Sequence, residues 1–141
     1  MPDRCSFDYA LIRVVPHVER EEFINVGVIV FCRVLRYLGI RVNPDDGRLP
    51  VLAPDAAPPE VRAHLAVFTR IAEGDAAGGP IALLPIAERF HWLVSPRSTV
   101  LQTSPVHSGL TSDPARELER LFARMVLPLG APETATDQPP P

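Results

Sequence analysis

The feature that most constrains this chain is the run Val26–Cys32 (VGVIVFC), which carries no polar side chain at any of its positions. Successive residues of a strand point to opposite faces, so a strand apolar at every position has neither face in water. Periodicity alone cannot separate so short a run from buried helix. The β-branched Val26, Val28, Ile29 and Val30 favour a central strand. Upstream, Phe7–Val15 (FDYALIRVV) is rich in β-branched and aromatic residues and stops at Pro16, which predicts a first strand whose one buried-looking charge is Arg13. Downstream, Val34–Val42 (VLRYLGIRV) places Val34, Leu38, Ile40 and Val42 on one face and Tyr37 and Arg41 on the other, the pattern of a half-exposed strand. The short spacing predicts an antiparallel hairpin, although no Asn-Gly or Asp-Gly marks its turn, and a bulge would fit there.

The charged stretch His17–Asn25 predicts a connection or a single helical turn. Asn43–Pro59, with Asn-Pro, Asp-Asp-Gly and further prolines, predicts a surface loop. Pro59 then opens an amphipathic helix in which Val61, Leu65, Phe68 and Ala72 recur at helical spacing up to Gly74. After a flexible break at Asp75–Pro80, a second helix is predicted from Ile81 or Pro85 to Val94, with Glu88 and Arg89 exposed. Thr99–Thr103 predicts a short edge strand. Asp113-Pro114 pairs an N-cap with proline at the first helical position, and Leu118, Leu121, Phe122, Met125 and Val126 form the apolar stripe of a last helix. Helices follow the strands rather than alternating with them. The fold class is therefore α+β, a mostly antiparallel sheet of about four strands with two to three helices packed on one face. One domain spans residues 5–127, and the Pro-rich segment 128–141 is too poor in apolar residues to offset ordering entropy and predicts a disordered tail.

The 141 residues suffice for one core, and an apolar share of 46% is that of an ordinary globular chain. A net charge of −3 offers no long-range attraction to nucleic acid or to an anionic membrane, so both are disfavoured as partners. All 14 basic residues are arginine. Cys5 and Cys32 have no metal-like spacing, no apolar run is long enough to cross a bilayer, and the amino terminus lacks a signal pattern. A cytoplasmic location follows as the expectation. No sequence motif for nucleotide, metal or nucleophilic chemistry is present, so neither a cofactor nor a metal is assigned.

Two segments hold more polar groups than their structural role requires. In Ser95–His107 (SPRSTVLQTSPVH), Arg97, Ser98, Thr99, Gln102, Ser104 and His107 are candidates for binding a phosphate or carboxylate through charge-assisted hydrogen bonds, with Arg13 as a further guanidinium. The structural alternative is that the hydroxyls satisfy turn backbone around Pro96 and Pro105 while Arg97 pairs with an acid such as Glu88. In the first connection, Glu19, Glu21 and Glu22 beside His17 are acidic candidates for a general base or a cation ligand, against the alternative of a solvated loop.

Four stretches taken together, Phe7–Pro16 (FDYALIRVVP), Val18–Phe31 (VEREEFINVGVIVF), Glu88–Leu93 (ERFHWL) and Ser95–His107, resemble a bacterial domain-of-unknown-function family, number 3037, over about residues 5–127. The resemblance implies a small cytosolic protein without an assigned activity or catalytic residue. It also implies a protein partner, a HipA-like kinase. The leading expectation is thus a binding or accessory module that works with a partner protein. The alternative is an enzyme acting on a phosphate-bearing substrate, with Arg97 as anion clamp, Ser98, Thr99 and Ser104 as donors, and His107 or an acid of Glu19–Glu22 as base.

Overall fold

In a computed structural model, which describes residues 3–44, 47–52, 54, 58–97 and 99–128, the chain is built on a five-stranded antiparallel sheet. Its strands are β1 (Cys5–Val14), β2 (Ile24–Cys32), β3 (Tyr37–Val42), β4 (Leu101–Thr103) and β5 (His107–Thr111). The long β1 is shared: β2 lines one side of it, and β4 and β5 divide the other. The helices are the single turn α1 (Leu49–Leu52), α2 (Pro58–Glu73), α3 (Ile86–Leu93) and α4 (Pro114–Leu121), the last continuing into a π-helical turn, Phe122–Val126.

The α+β class and the antiparallel sheet stand, but the helices cover both faces rather than one. Ile12, Val14, Val26, Ile29, Phe31 and Leu101 pack with Leu65, Phe68 and Ile71 of α2 and Phe90 and Leu93 of α3. On the reverse face Phe7, Val28, Val30 and Cys32 pack with Leu118, Leu121, Phe122 and Val126. The cause is already in β2, whose alternate residues enter the two cores in turn. A layer of helices on one face would have left Val28, Val30 and Cys32 in water, at a cost of about 1.5–3 kcal/mol for each large aliphatic side chain.

Other differences are local. Val34 lies not in β3 but in the turn Arg33–Arg36, where Arg36 takes a left-handed φ of 51° in place of the glycine the turn would favour. The bulge falls between β1 and β2 instead: Ile12 faces Gly27 and Arg13 faces Asn25, so Val26 is the extra residue. The Asn43–Pro59 loop contains α1, whose Leu49 enters the core. The break at Asp75–Pro80 is ordered into 3-10 turns, the first capped by the Asp75 side chain, which accepts from Ala77 N–H at 2.9 Å. Pro105 ends β4 as expected, but the chain re-enters the sheet as β5. The segment expected as a disordered tail lies outside the described residues from 129 onward.

Candidate binding face

Of the three half-buried arginines among the described residues, two finish helices and one does not. Arg89, expected to be exposed, is half-buried: it donates to the carbonyls of Ile71 (2.9 Å) and Ala72 (3.0 Å) at the end of α2 and to that of Leu84 (2.9 Å). Arg97 does the same for α3, donating to the carbonyls of Trp92 (2.8 Å), Leu93 (2.7 Å) and Ser95 (3.0 Å). Its guanidinium also lies against the rings of Trp92 (4.6 Å) and Phe68 (4.9 Å). The helix-end carbonyls lack regular i+4 donors, Ile71 and Trp92 taking longer bonds from Gly74 N–H (3.2 Å) and Ser95 N–H (3.4 Å), and a cation suits the negative end of the helix. Burial lowers the Arg97 pKa from its usual value, and the guanidinium remains charged. Arg97 does not pair with Glu88, and three of its five N–H donors are spent on backbone.

The rest of that segment is also largely structural. Ser104 is buried, and its Oγ accepts from Leu11 N–H at 2.8 Å while donating to Pro105 C=O at 2.9 Å. Because Ser104 N–H also donates to Leu11 C=O at 2.8 Å, this one residue closes the gap that β1 would otherwise show between β4 and β5. Thr99 Oγ1 donates to Leu101 C=O at 2.8 Å within the turn. Gln102 spends one amide hydrogen on Thr99 C=O at 2.9 Å. Ser98 lies outside the described residues.

Arg13 is different. Its side chain leaves β1 on the face covered by α4, in register with Asn25 of β2 on one side and Gln102 of β4 on the other. Gln102 and Asn25 thus come from the two polar segments singled out in the sequence, and β1 brings them into one row. The guanidinium lies 4.0 Å from the centre of the Phe23 ring and has no hydrogen-bond acceptor among the described residues. Its Nε is withdrawn from water without a partner, as is Oδ1 of Asn25, whose Nδ2 donates to Met125 C=O at 3.2 Å on the π turn. Each such orphan costs about 1–3 kcal/mol. Burial lowers the Arg13 pKa from its usual value.

The row continues along β1. Leu11 and Tyr9 follow Arg13 on the same face, both half-buried, and His107 of β5 stands opposite Tyr9 with ring centroids 5.3 Å apart. α4 and the π turn pack over β2 and β3, so this half of the face keeps Phe23 at 44% and Met125 at 37% exposure, with His107 exposed. The sequence pointed to Arg13, Gln102 and His107 here. Phe23, Tyr9, Leu11 and Met125 were missed, since they read as strand, connection or helix-stripe residues, and only alternation from Arg13 along β1 carried a signal for Tyr9 and Leu11.

The acidic candidates stay apart from this row. Glu19 lies 3.9 Å from His17 Nδ1, Glu22 pairs with Arg20, and Glu21 closes the 3-10 turn Val18–Arg20 with a left-handed φ of 56°. Among the described residues no three His, Cys, Asp or Glu side chains come together as a metal site. His17, Arg20 and Glu22 instead border an open cleft of about 670 Å³ whose other wall is Arg48, Val51 and Leu52. No described helix is long and apolar enough to cross a membrane.

No curated protein and no solved structure matches the chain. The sequence profile described as protein of unknown function (DUF3037) matches residues 9–126, and the chain belongs to that family.

Proposed function

We propose that this protein is a binding module of the bacterial cytoplasm that docks a partner protein on the open half of its sheet, with Arg13 as the anchor. The observation that carries the reading is the Arg13 guanidinium, charged, free of any described acceptor and held on an aromatic ring beside the orphaned Asn25 oxygen. Arginine and aromatic side chains dominate the energetics of protein interfaces, and Arg13, Phe23, Tyr9 and Met125 on one surface have that composition. A carbonyl or carboxylate oxygen from the partner would supply the missing acceptor. The free thiols of Cys5 and Cys32, neither of them in a disulfide, fit a reducing compartment. The partner we propose is a HipA-like kinase.

The phosphate-enzyme alternative draws less support, since Arg97 and Ser104 are spent on backbone. Co-expression of this chain with a HipA-like kinase tests the proposal. Co-purification is expected, weakened roughly 30-fold or more in Arg13→Glu, the loss typical of a central arginine. Absence of co-purification removes this partner. Undiminished binding by a folded Arg13→Glu variant removes the face.

A further inference from the structure

The sheet leaves one edge free along β5. β5 ends the sheet on that side, and its outer edge is paired to nothing among the described residues. Natural sheets blunt such edges with charge, proline or a bulge. This one has none of these within β5, and from residue 98 to residue 112 the sequence contains no Asp, Glu, Lys or Arg. Leu110 within β5 is 62% exposed, and Val106 just before it 44%. The opposite edge strand, β3, carries Arg41 and follows a turn containing Arg33 and Arg36.

We infer that β5 pairs with β5 of a second copy of this chain. The hydrogen-bond phase of β1 decides the register. Leu11 and Val15 direct their backbone groups toward the β4–β5 side, so Phe7 and Tyr9 do likewise, and their partners Gly109 and His107 are bonded inward. Ser108 and Leu110 therefore present their N–H and C=O groups outward. An antiparallel copy centred on Gly109 pairs Ser108 with Leu110 of the second chain, and Leu110 with its Ser108, so every outward group of both residues is bonded. Gly109 faces its equivalent in the closely spaced, non-bonded position, about 4.5 Å apart in Cα. A strand without Asp, Glu, Lys or Arg brings no such side chain against its own copy, and the two-fold contact uses each edge once and closes. The axis stands normal to the sheet. Both Arg13 faces then lie on the same side of one continuous sheet, a bivalent surface.

Sedimentation velocity of the full chain over a wide concentration range tests the pairing. The expected result is a reversible monomer–dimer equilibrium that Leu110→Lys weakens ~10-fold or more, because the two lysines would lie diagonally across the pair and a charged edge opposes strand addition. Leu110→Pro removes an outward N–H that β1 does not use, and should likewise yield monomer while leaving the fold intact. Amide exchange gives the second readout: Ser108 and Leu110 should gain protection with concentration. A chain monomeric at every concentration overturns the inference, as does a dimer that survives both substitutions or protects neither amide.

Discussion

Replacing Arg97 and Arg13 each by methionine removes the same charge from similar depths, yet the two variants should differ sharply in stability. In Arg97→Met the carbonyls of Trp92 and Leu93 at the end of α3 lose donors at 2.8 and 2.7 Å. Arg97 is only half-buried, so water replaces part of each bond, and the loss is taken at the low end, about 1 kcal/mol per carbonyl. The two ring contacts, to Trp92 and Phe68, add about 0.5 kcal/mol each at such partly exposed positions. The expected cost is close to 3 kcal/mol, or roughly a 10 °C fall in Tm for a domain of this size. In Arg13→Met the contact with Phe23 is lost, about 0.5–1 kcal/mol, while the orphaned Nε is relieved of a penalty of about 1 kcal/mol or more. The net change should lie within about 1 kcal/mol of zero. Urea unfolding followed by circular dichroism measures both, with an unchanged m-value showing that the denatured state is not the cause. Equal losses in the two variants would refute the division between helix-finishing and ligand-facing arginines, and so would an Arg97→Met protein as stable as the parent.

Ser104→Ala should cost about 1–2 kcal/mol by leaving Leu11 N–H without its acceptor, with faster hydrogen exchange at the Leu11 amide as the local readout. Exchange that does not change would mean that β4 closes up to replace the hydroxyl. Tyr37 titrates above an ordinary tyrosine because burial, and then the charges of Glu119 and Asp113, disfavour its phenolate. The folded chain therefore holds this proton more tightly than the unfolded one. Stability should be intact below about pH 10 and fall as pH rises past it, and Tyr37→Phe should remove that part of the alkaline loss. Phenolate absorbance during a pH titration follows the same group directly, and a normal midpoint would contradict the burial.

What the sequence made legible depended on whether one element or two had to be read together. β2 announced itself, and so did α2 and α4, because their periodicity is internal to one segment. Asp113 caps α4 as read, its carboxylate accepting from Arg116 N–H at 3.2 Å. The two-sided cover was also stated by the apolar run of β2, but the order of elements argued for one layer of helices and outweighed it. The burial pattern was the better guide, since a face of Val28, Val30 and Cys32 has to be covered whatever the order of the elements along the chain. β5 escaped because His107, Ser108 and Gly109 have little strand propensity, and only the exposed edge of β1 calls them into the sheet.

The candidate face shows the same limit more sharply. Composition singled out Ser95–His107 as the polar-rich segment, and most of its polarity is consumed locally. Serine, threonine and arginine near prolines are also the residues that finish turns and helix ends, so their density alone cannot separate structure from recognition. Arg13 carried the better signal, a lone cation at an alternating position within an otherwise apolar strand. Such a residue must reach water, an acid or a ligand. No described acid reaches it, and its strand neighbours Asn25 and Gln102 donate to backbone carbonyls without accepting from it. The physical criterion for a binding residue in this chain is therefore an unmet hydrogen-bonding demand that the fold itself created. By that criterion Arg97, the most conspicuous candidate in the sequence, is explained by α3, and Arg13 is the residue whose demand the described residues leave unmet.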